Sequence, residues 1–218
     1  MSMKRFKVWT APLRGALSNP AAYIADASVW INLAATGRAA EHLRAIGKPM
    51  LITETALGEL DRGRPKGRQA ADEVQGLIHI GLVEVVQVPA SQEDLFFSLV
   101  AGSAQQTLDD GEAATLAFAN AGLADAIIDE QKATDLATLR LPDLRLSTTT
   151  DLLLSVTMIE ILGLSAVADS LLRALQLARM RVPRSRMDEV VALIGLDNAR
   201  KCPSLPAAVR GVAGAVLA

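Results

Sequence analysis

Apolar and polar positions along this chain fall into two alternating textures. Short apolar runs recur as AYIAD (22–26), PMLIT (49–53), LVEVVQV (82–88), ADAIID (124–129) and LRLST (144–148). Their length and β-branched content predict strands. Between them lie stretches with helical spacing. VWINLAATG follows the first strand, TETALGELDRG and RQAADEVQGLIHI the second, and QEDLFFSLV the third. GEAATLAFANA comes next, and QKATDLATLR separates the last two strands. Strands that alternate with helices pair in parallel and need cover on both faces. The expected fold class is therefore α/β, a three-layer α/β/α arrangement around a mainly parallel five-stranded sheet.

Beyond Leu146 the texture is helical only: TDLLLSVTMIEILG, SAVADSLLRALQLARM and RSRMDEVVALIG, punctuated by Gly163 and Pro183. Thr150 is expected to cap the first of these and Ser185 the third, each hydroxyl taking an otherwise orphan backbone N–H. The run from Leu152 to Leu177 is apolar enough to raise a membrane question, but Glu160, Asp169 and Arg173 interrupt it. Buried amphipathic helices are the expected outcome. Three regions follow: a basic arm over 1–20, an α/β domain over 21–165, and a C-terminal helical extension over 166–218 packed on the same domain.

Composition narrows the chemistry. Half of the 218 residues are apolar, yet the aromatics are only two Trp, one Tyr and four Phe, so the core leans on Leu, Ala, Val and Ile. Formal charge is −2, from 22 basic and 24 acidic side chains, and no global cationic field advertises nucleic acid. Any polyanion contact is local. The single cysteine, Cys202, rules out an intrachain disulfide and suits a reducing cytoplasm. One Cys and two separated histidines, His42 and His79, argue against a structural zinc site. The first residues carry Lys4, Arg5, Lys7 and Arg14 and lack the apolar segment of a signal peptide.

In a parallel α/β sheet, ligands bind beyond the carboxyl ends of the strands. Asp26 ends the first strand and Asp129 ends ADAIID, while Glu59 lies in the helix after PMLIT. Glu112 opens the helix GEAATLAFANA behind Asp109, Asp110 and Gly111. Each acid alone has an ordinary reading: Asp26 as a helix N-cap, Glu112 as a complement to a helix dipole, Glu59 as a solvated face residue, Asp129 as a turn former. Four together say more. Crowded carboxylates repel, and either protonate or gather a cation. Hard divalent ions prefer oxygen ligands and polarise phosphoryl oxygens, chemistry suited to phosphodiester hydrolysis.

IADASVWINLAATG, TETALGELDRG, LDDGEAATLAFANAG and AIIDEQKATDLA, in that order, resemble the motifs of PIN-domain ribonucleases, whose best-known members are VapC-like toxins of type II toxin–antitoxin modules. The resemblance runs over roughly residues 22–165. It implies a Mg²⁺- or Mn²⁺-dependent endoribonuclease, with Asp26, Glu59, Glu112 and Asp129 as metal ligands and catalytic acids. Glu112 sits where many members have Asp and a Gly-Glu subgroup has Glu. Glu54, Asp110 and Glu130 compete for the second, third and fourth places. A toxin implies a small antitoxin partner, and the apolar C-terminal helices suit either a homodimer or completion of the core.

Other features bear on substrate. DRGRPKGR puts Arg62, Arg64, Lys66 and Arg68 into a short loop after Glu59, which suits either phosphate contact or a solvated connection. Ser28 either orients Asp26 or caps the helix itself. Thr148, Thr149 and Thr150 stand at the same sheet edge, where capping is the simpler role. Trp30 fits core or interface better than base stacking. A haloacid-dehalogenase-type phosphatase also uses an aspartate after the first strand, but needs a second Asp two residues later, where Ser28 stands. No GxGxxG or GxxxxGK[ST] occurs. The non-enzymatic alternative is a PIN-like scaffold that binds protein or RNA without cutting it, and within the nuclease class a non-toxin RNA-processing enzyme is the alternative to a toxin.

Overall fold

The computed structural model of the chain describes residues 21–63, 69–103 and 106–211. Five strands, β1 (Tyr23–Ala25), β2 (Met50–Thr53), β3 (Val83–Val86), β4 (Asp125–Ile127) and β5 (Leu146–Ser147), form one sheet in the order β3-β2-β1-β4-β5. Every pairing is parallel. All five strands lie inside the apolar runs that predict them. The central strand, β1, sets Tyr23 between Met50 and Asp125, so its carboxyl end opens between β2 and β4.

Side chains along a strand alternate faces, and here the alternation divides two cores. Ile24, Leu51, Ala126 and Ile128 pack with Leu99, Leu116 and Ala133 on one side. These partners come from α5 (Glu93–Val100), α6 (Asp110–Asn120) and α7 (Gln131–Arg140). Ala25, Met50, Ile52 and Ile127 face the other side. There they meet α1 (Ala27–Ala35), α2 (Ala39–Ile46), α3 (Glu54–Gly63) and α4 (Ala70–His79) through Trp30, Leu43, Leu60 and Val74. Helices on both faces make the three-layer α/β/α arrangement expected from the strand–helix alternation.

The C-terminal helices belong to that second core. They are α8 (Thr149–Leu153), α9 (Val156–Leu162), α10 (Leu164–Arg173), α11 (Met187–Ile194) and α12 (Leu196–Ala199). Val167, Leu171, Leu175, Val190 and Ile194 join one cluster with Trp30 and Leu33. Among the described residues no helix is long and apolar enough to cross a membrane.

Several local expectations need correction. TDLLLSVTMIEILG is two helices, because the Ser155 hydroxyl accepts the Met158 N–H and starts a new one. The first of them is capped by Thr148 rather than Thr150: Thr148 Oγ1 accepts from Asp151 N, and Asp151 accepts from Thr148 N in return. Ser185 caps nothing. It sits in a 3₁₀ turn (Arg184–Arg186) ahead of α11, whose start has no side-chain cap. Helix α2, AAEHLRAI, stood outside the expected set; it stops at Gly47, whose φ of 64° lies in the left-handed region that glycine tolerates.

Candidate active site at the carboxyl edge of the sheet

Asp26 leaves the end of β1 and turns the chain into α1. Its Oδ1 accepts the Val29 N–H at 3.1 Å, so Asp26 itself is the N-cap. Ser28 does not cap. Its hydroxyl, 3.0 Å from each Asp26 oxygen, donates to that carboxylate and fixes its plane. Asp26 is 3% exposed. Burial, then the neighbouring Asp129 and Glu112 charges, push its pKa well above the ordinary aspartate range, against the Val29 and Ser28 bonds.

Glu112 sits in the first turn of α6 within a capping box: Asp109 accepts from Glu112 N at 2.9 Å, and Glu112 Oε2 accepts from Asp109 N at 3.3 Å. Burial, with Asp109, Glu130 and Glu59 nearby, raises Glu112 to about 7. Glu59 projects from α3 onto the same turn, where its Oε1 accepts the Gly111 N–H at 2.8 Å. A Cβ on Gly111 would come within 2.5 Å of Glu59 Oε2, so only glycine lets the carboxylate in. Burial and Asp109 raise the Glu59 pKa, opposed by Gly111 and by Arg62, whose guanidinium lies 3.9 Å from Oε1.

These side chains share one cleft of about 280 Å³, lined by Asp26, Glu59, Asp109, Glu112 and Glu130 along with Ser28 and the apolar wall of Ile31 and Leu60. Asp129 stands behind it rather than in its lining. One Asp129 oxygen accepts from Thr149 N at 2.7 Å; the other accepts from Asn32 Nδ2 at 2.6 Å and from the Thr149 hydroxyl. Burial nevertheless raises its pKa, and Asp129 acts on Asp26 through its charge. Three of the four expected acids thus line the cleft, with the fourth immediately adjacent.

A family model described as a PIN domain (DUF3368) matches residues 22–196. The chain belongs to the PIN-domain family. No curated protein and no solved structure matches it. PIN domains are generally nucleases that bind RNA and use divalent metal ions. The cleft of this PIN domain has the right donor chemistry, since its lining is rich in carboxylate oxygens and holds no thiolate or imidazole. The raised carboxyl pKa values of Asp26 and Glu112 come first from burial and then from the neighbouring negative charges, both of which a bound cation would offset. Among the described residues no three His, Cys, Asp or Glu side chains already converge as ligands. Glu59 is drawn to Gly111, Glu112 to its own N-cap, and Asp129 to Thr149 and Asn32.

The remaining expectations sort by position. Arg62 borders the cleft through Glu59, while Arg64, Lys66 and Arg68, like the basic arm over 1–20, lie outside the described residues. Glu54 is exposed and bonded to Gln87, so it does not compete with Glu59 for the cleft. Asp110 does not line the cleft, whereas Glu130 does. Trp30 is fully buried and donates Nε1–H to Ala25 O, which places it in the core. Sequence reasoning passes over Asp109 and Asn32 as parts of this site and favours capping for Thr149, whose N–H and hydroxyl instead hold Asp129. Asn32 and Asp129 are 97 positions apart, and no local pattern signals their bond.

Proposed function

We propose that this PIN domain is a Mg²⁺- or Mn²⁺-dependent endoribonuclease that hydrolyses RNA phosphodiester bonds in the acidic cleft. The observation that carries the reading is Asp26, a buried carboxylate at the carboxyl end of the central strand, flanked by Glu59 from the β2 side and Glu112 from α6. Asp26, Glu59, Glu112 and Asp129 are the residues that would hold the ion. Bound there, a divalent ion supplies Lewis-acid polarisation of a phosphoryl oxygen and an acidified water. Ser28 and the Val29 N–H hold Asp26 in one orientation before substrate arrives. Asn32 and Thr149 do the same for Asp129, whose Oδ1 accepts one of the three bonds and keeps a second lone pair. Arg62 borders the cleft and suits contact with an RNA phosphate, a role that Arg64, Lys66 and Arg68, next in DRGRPKGR, would share.

The test is Asp26→Asn. The amide oxygen can still cap α1, so the fold is expected to persist while cleavage of a long RNA falls by at least about a hundredfold. Parental cleavage rates in a folded variant would sink the assignment. Mn²⁺ should raise the melting temperature of the parent protein and not of the variant; no rise in either would favour an inert RNA- or protein-binding scaffold. A toxin and a processing enzyme share this chemistry and part on context. For a toxin, production of the chain alone should arrest growth, and co-production of a small antitoxin that occupies the acidic cleft should restore it. Growth unaffected by an active nuclease assigns the processing role.

A further inference from the structure

Helix α10 runs into a π-helical turn (Ala174–Ala178) that ends at Arg179, the described non-glycine residue with positive φ, 56°. A non-glycine residue there is uncommon and is tolerated where the surroundings demand a sharp change of direction. Past that turn the chain meets the start of α7, through Arg181, beside the cleft residue Glu130. Met180 and Val182 are buried, at 1% and 6% exposure, and Met180 N bonds to Ala174 O. Arg179 and Arg181 alternate with them and point to solvent, and Arg184 follows, also exposed. Two core anchors therefore grip the backbone on both sides of Arg181. Its guanidinium reaches the start of α7: Nη1 lies 4.0 Å from Glu130 Oε1, and Nη2 donates to Gln131 Oε1 at 3.3 Å. Glu130 lines the cleft. Since Glu130 follows β4 and Glu59 follows β2, Arg181 and Arg62 belong to opposite sides of Asp26 along the sheet edge.

We propose that Arg181 is a phosphate-binding residue that receives the backbone of a single-stranded RNA on the β4 side of the cleft, across from Arg62; this rests on the reading that the cleft takes RNA. The ion pair with Glu130 is long and about half exposed on both partners, a contact of small net worth. It holds the guanidinium at the rim without competing strongly with a phosphate, which an arginine can bind through two parallel N–H bonds. The anchored backbone reduces the ordering that such a contact costs.

The test measures binding of a fluorescein-labelled 12-nucleotide single-stranded RNA against salt, in the Asp26→Asn background with Mg²⁺ so that the probe survives. Arg181→Ala is expected to weaken binding about threefold to tenfold near 0.1 M salt and to flatten the slope of log Kd against log salt by about 0.7, the loss of one phosphate contact to a single strand. Arg181→Lys should keep the slope, because the charge remains. Arg200→Ala, an exposed arginine paired with Asp197 away from the cleft, should leave both quantities unchanged. An unaltered slope for Arg181→Ala overturns the proposal, and so does failure of the background protein to bind the probe. A lowered melting temperature with an unaltered slope would make Arg181 a structural strut instead. RNA binding without Mn²⁺-dependent cleavage by the parent would leave Arg181 in place and remove the nuclease reading.

Discussion

Glu112 shows how one residue carries two roles that pull against each other. Its backbone and carboxylate close the capping box that starts α6, while burial, and then its neighbours Asp109, Glu130 and Glu59, disfavour its charge. A carboxyl raised from 4.5 to about 7 in the folded chain binds a proton there that it has lost in the unfolded chain. Its contribution to stability is fully present below pH 4.5 and is lost as pH rises toward and through 7. The metal-free protein should therefore show a melting temperature that falls across this window. Glu112→Gln should flatten that part of the profile and raise the melting temperature at pH 8 by about 3 °C, a shift on the order of 1 kcal/mol. Calorimetry in EDTA against pH checks it; a profile unchanged by the substitution refutes the assigned titration. Gly111 makes a complementary prediction. Alanine is the better helix former, by about 1 kcal/mol, and the obstructing atoms are the end of a flexible glutamate. Gly111→Ala should leave thermal stability within a few degrees of the parent while displacing Glu59 and lowering RNA cleavage by about tenfold or more. Undiminished cleavage would show that Glu59 is not needed where it stands.

At the scale of elements, the short helix α8 does more than continue the chain. Its first N–H and the Thr149 hydroxyl hold Asp129, and its own start is tied by Asp151, which Arg186 grips at 2.9 Å from the turn before α11. Burial alone would raise the Asp151 pKa, but the Thr148 hydroxyl, the Arg186 guanidinium and the Thr148 N–H outweigh it and hold the carboxyl below its ordinary value. This stability is present above the unfolded value of 3.8 and is lost as pH falls through the lower folded one. Asp151→Ala should destabilise the protein by about 1–3 kcal/mol through the lost cap and the unpaired Arg186, and the loss should shrink under strong acid. Urea unfolding at pH 7 and at pH 3 separates these outcomes, and an equal loss at both would refute the charge-based account. The same clip explains why the site depends on residues distant in sequence: Arg186 holds Asp151, α8 holds Asp129, and Asp129 acts on Asp26.

The whole molecule is two apolar layers divided by one parallel sheet, and the layer over α1 is finished by the C-terminal helices. Val167, Leu171, Leu175, Met180 and Val190 are each no more than 1% exposed in the cluster that also buries Trp30 and Leu33. Ending the chain after residue 165 would expose those faces of α1 and α2 together. The shortened protein is expected to lose cooperative thermal unfolding and to bind a hydrophobic dye; a cooperative transition near the parental temperature would show that the α/β part stands alone. His42 adds a polar tie between the same parts. It is fully buried, with Nε2 3.1 Å from Ser170 Oγ, and burial lowers its pKa to about 4, so it is neutral at pH 7 and serves packing rather than proton transfer. The larger open depression of about 600 Å³ beside α11 is mostly apolar, and among the described residues lining it Asp188 is the titratable one, with no comparable constellation.

Strand and helix periodicity is local, so the five strands, their parallel pairing and the two covered faces are all written in the spacing of apolar residues. Asp26, Glu112 and Asp129 are legible as candidates for the same reason, since strand ends and first turns are local features of a parallel sheet's edge, whereas Glu59 lies mid-way along α3 and meets Gly111 only through packing. What the sequence by itself left open is which oxygen meets which donor. Glu59 seated on Gly111, Asn32 across 97 positions on Asp129, and Arg181 on Glu130 are decided by packing between elements far apart in the chain. A carboxylate's partners depend on distances of about 3 Å between separate helices, and residue spacing carries no such information until the tertiary structure sets it.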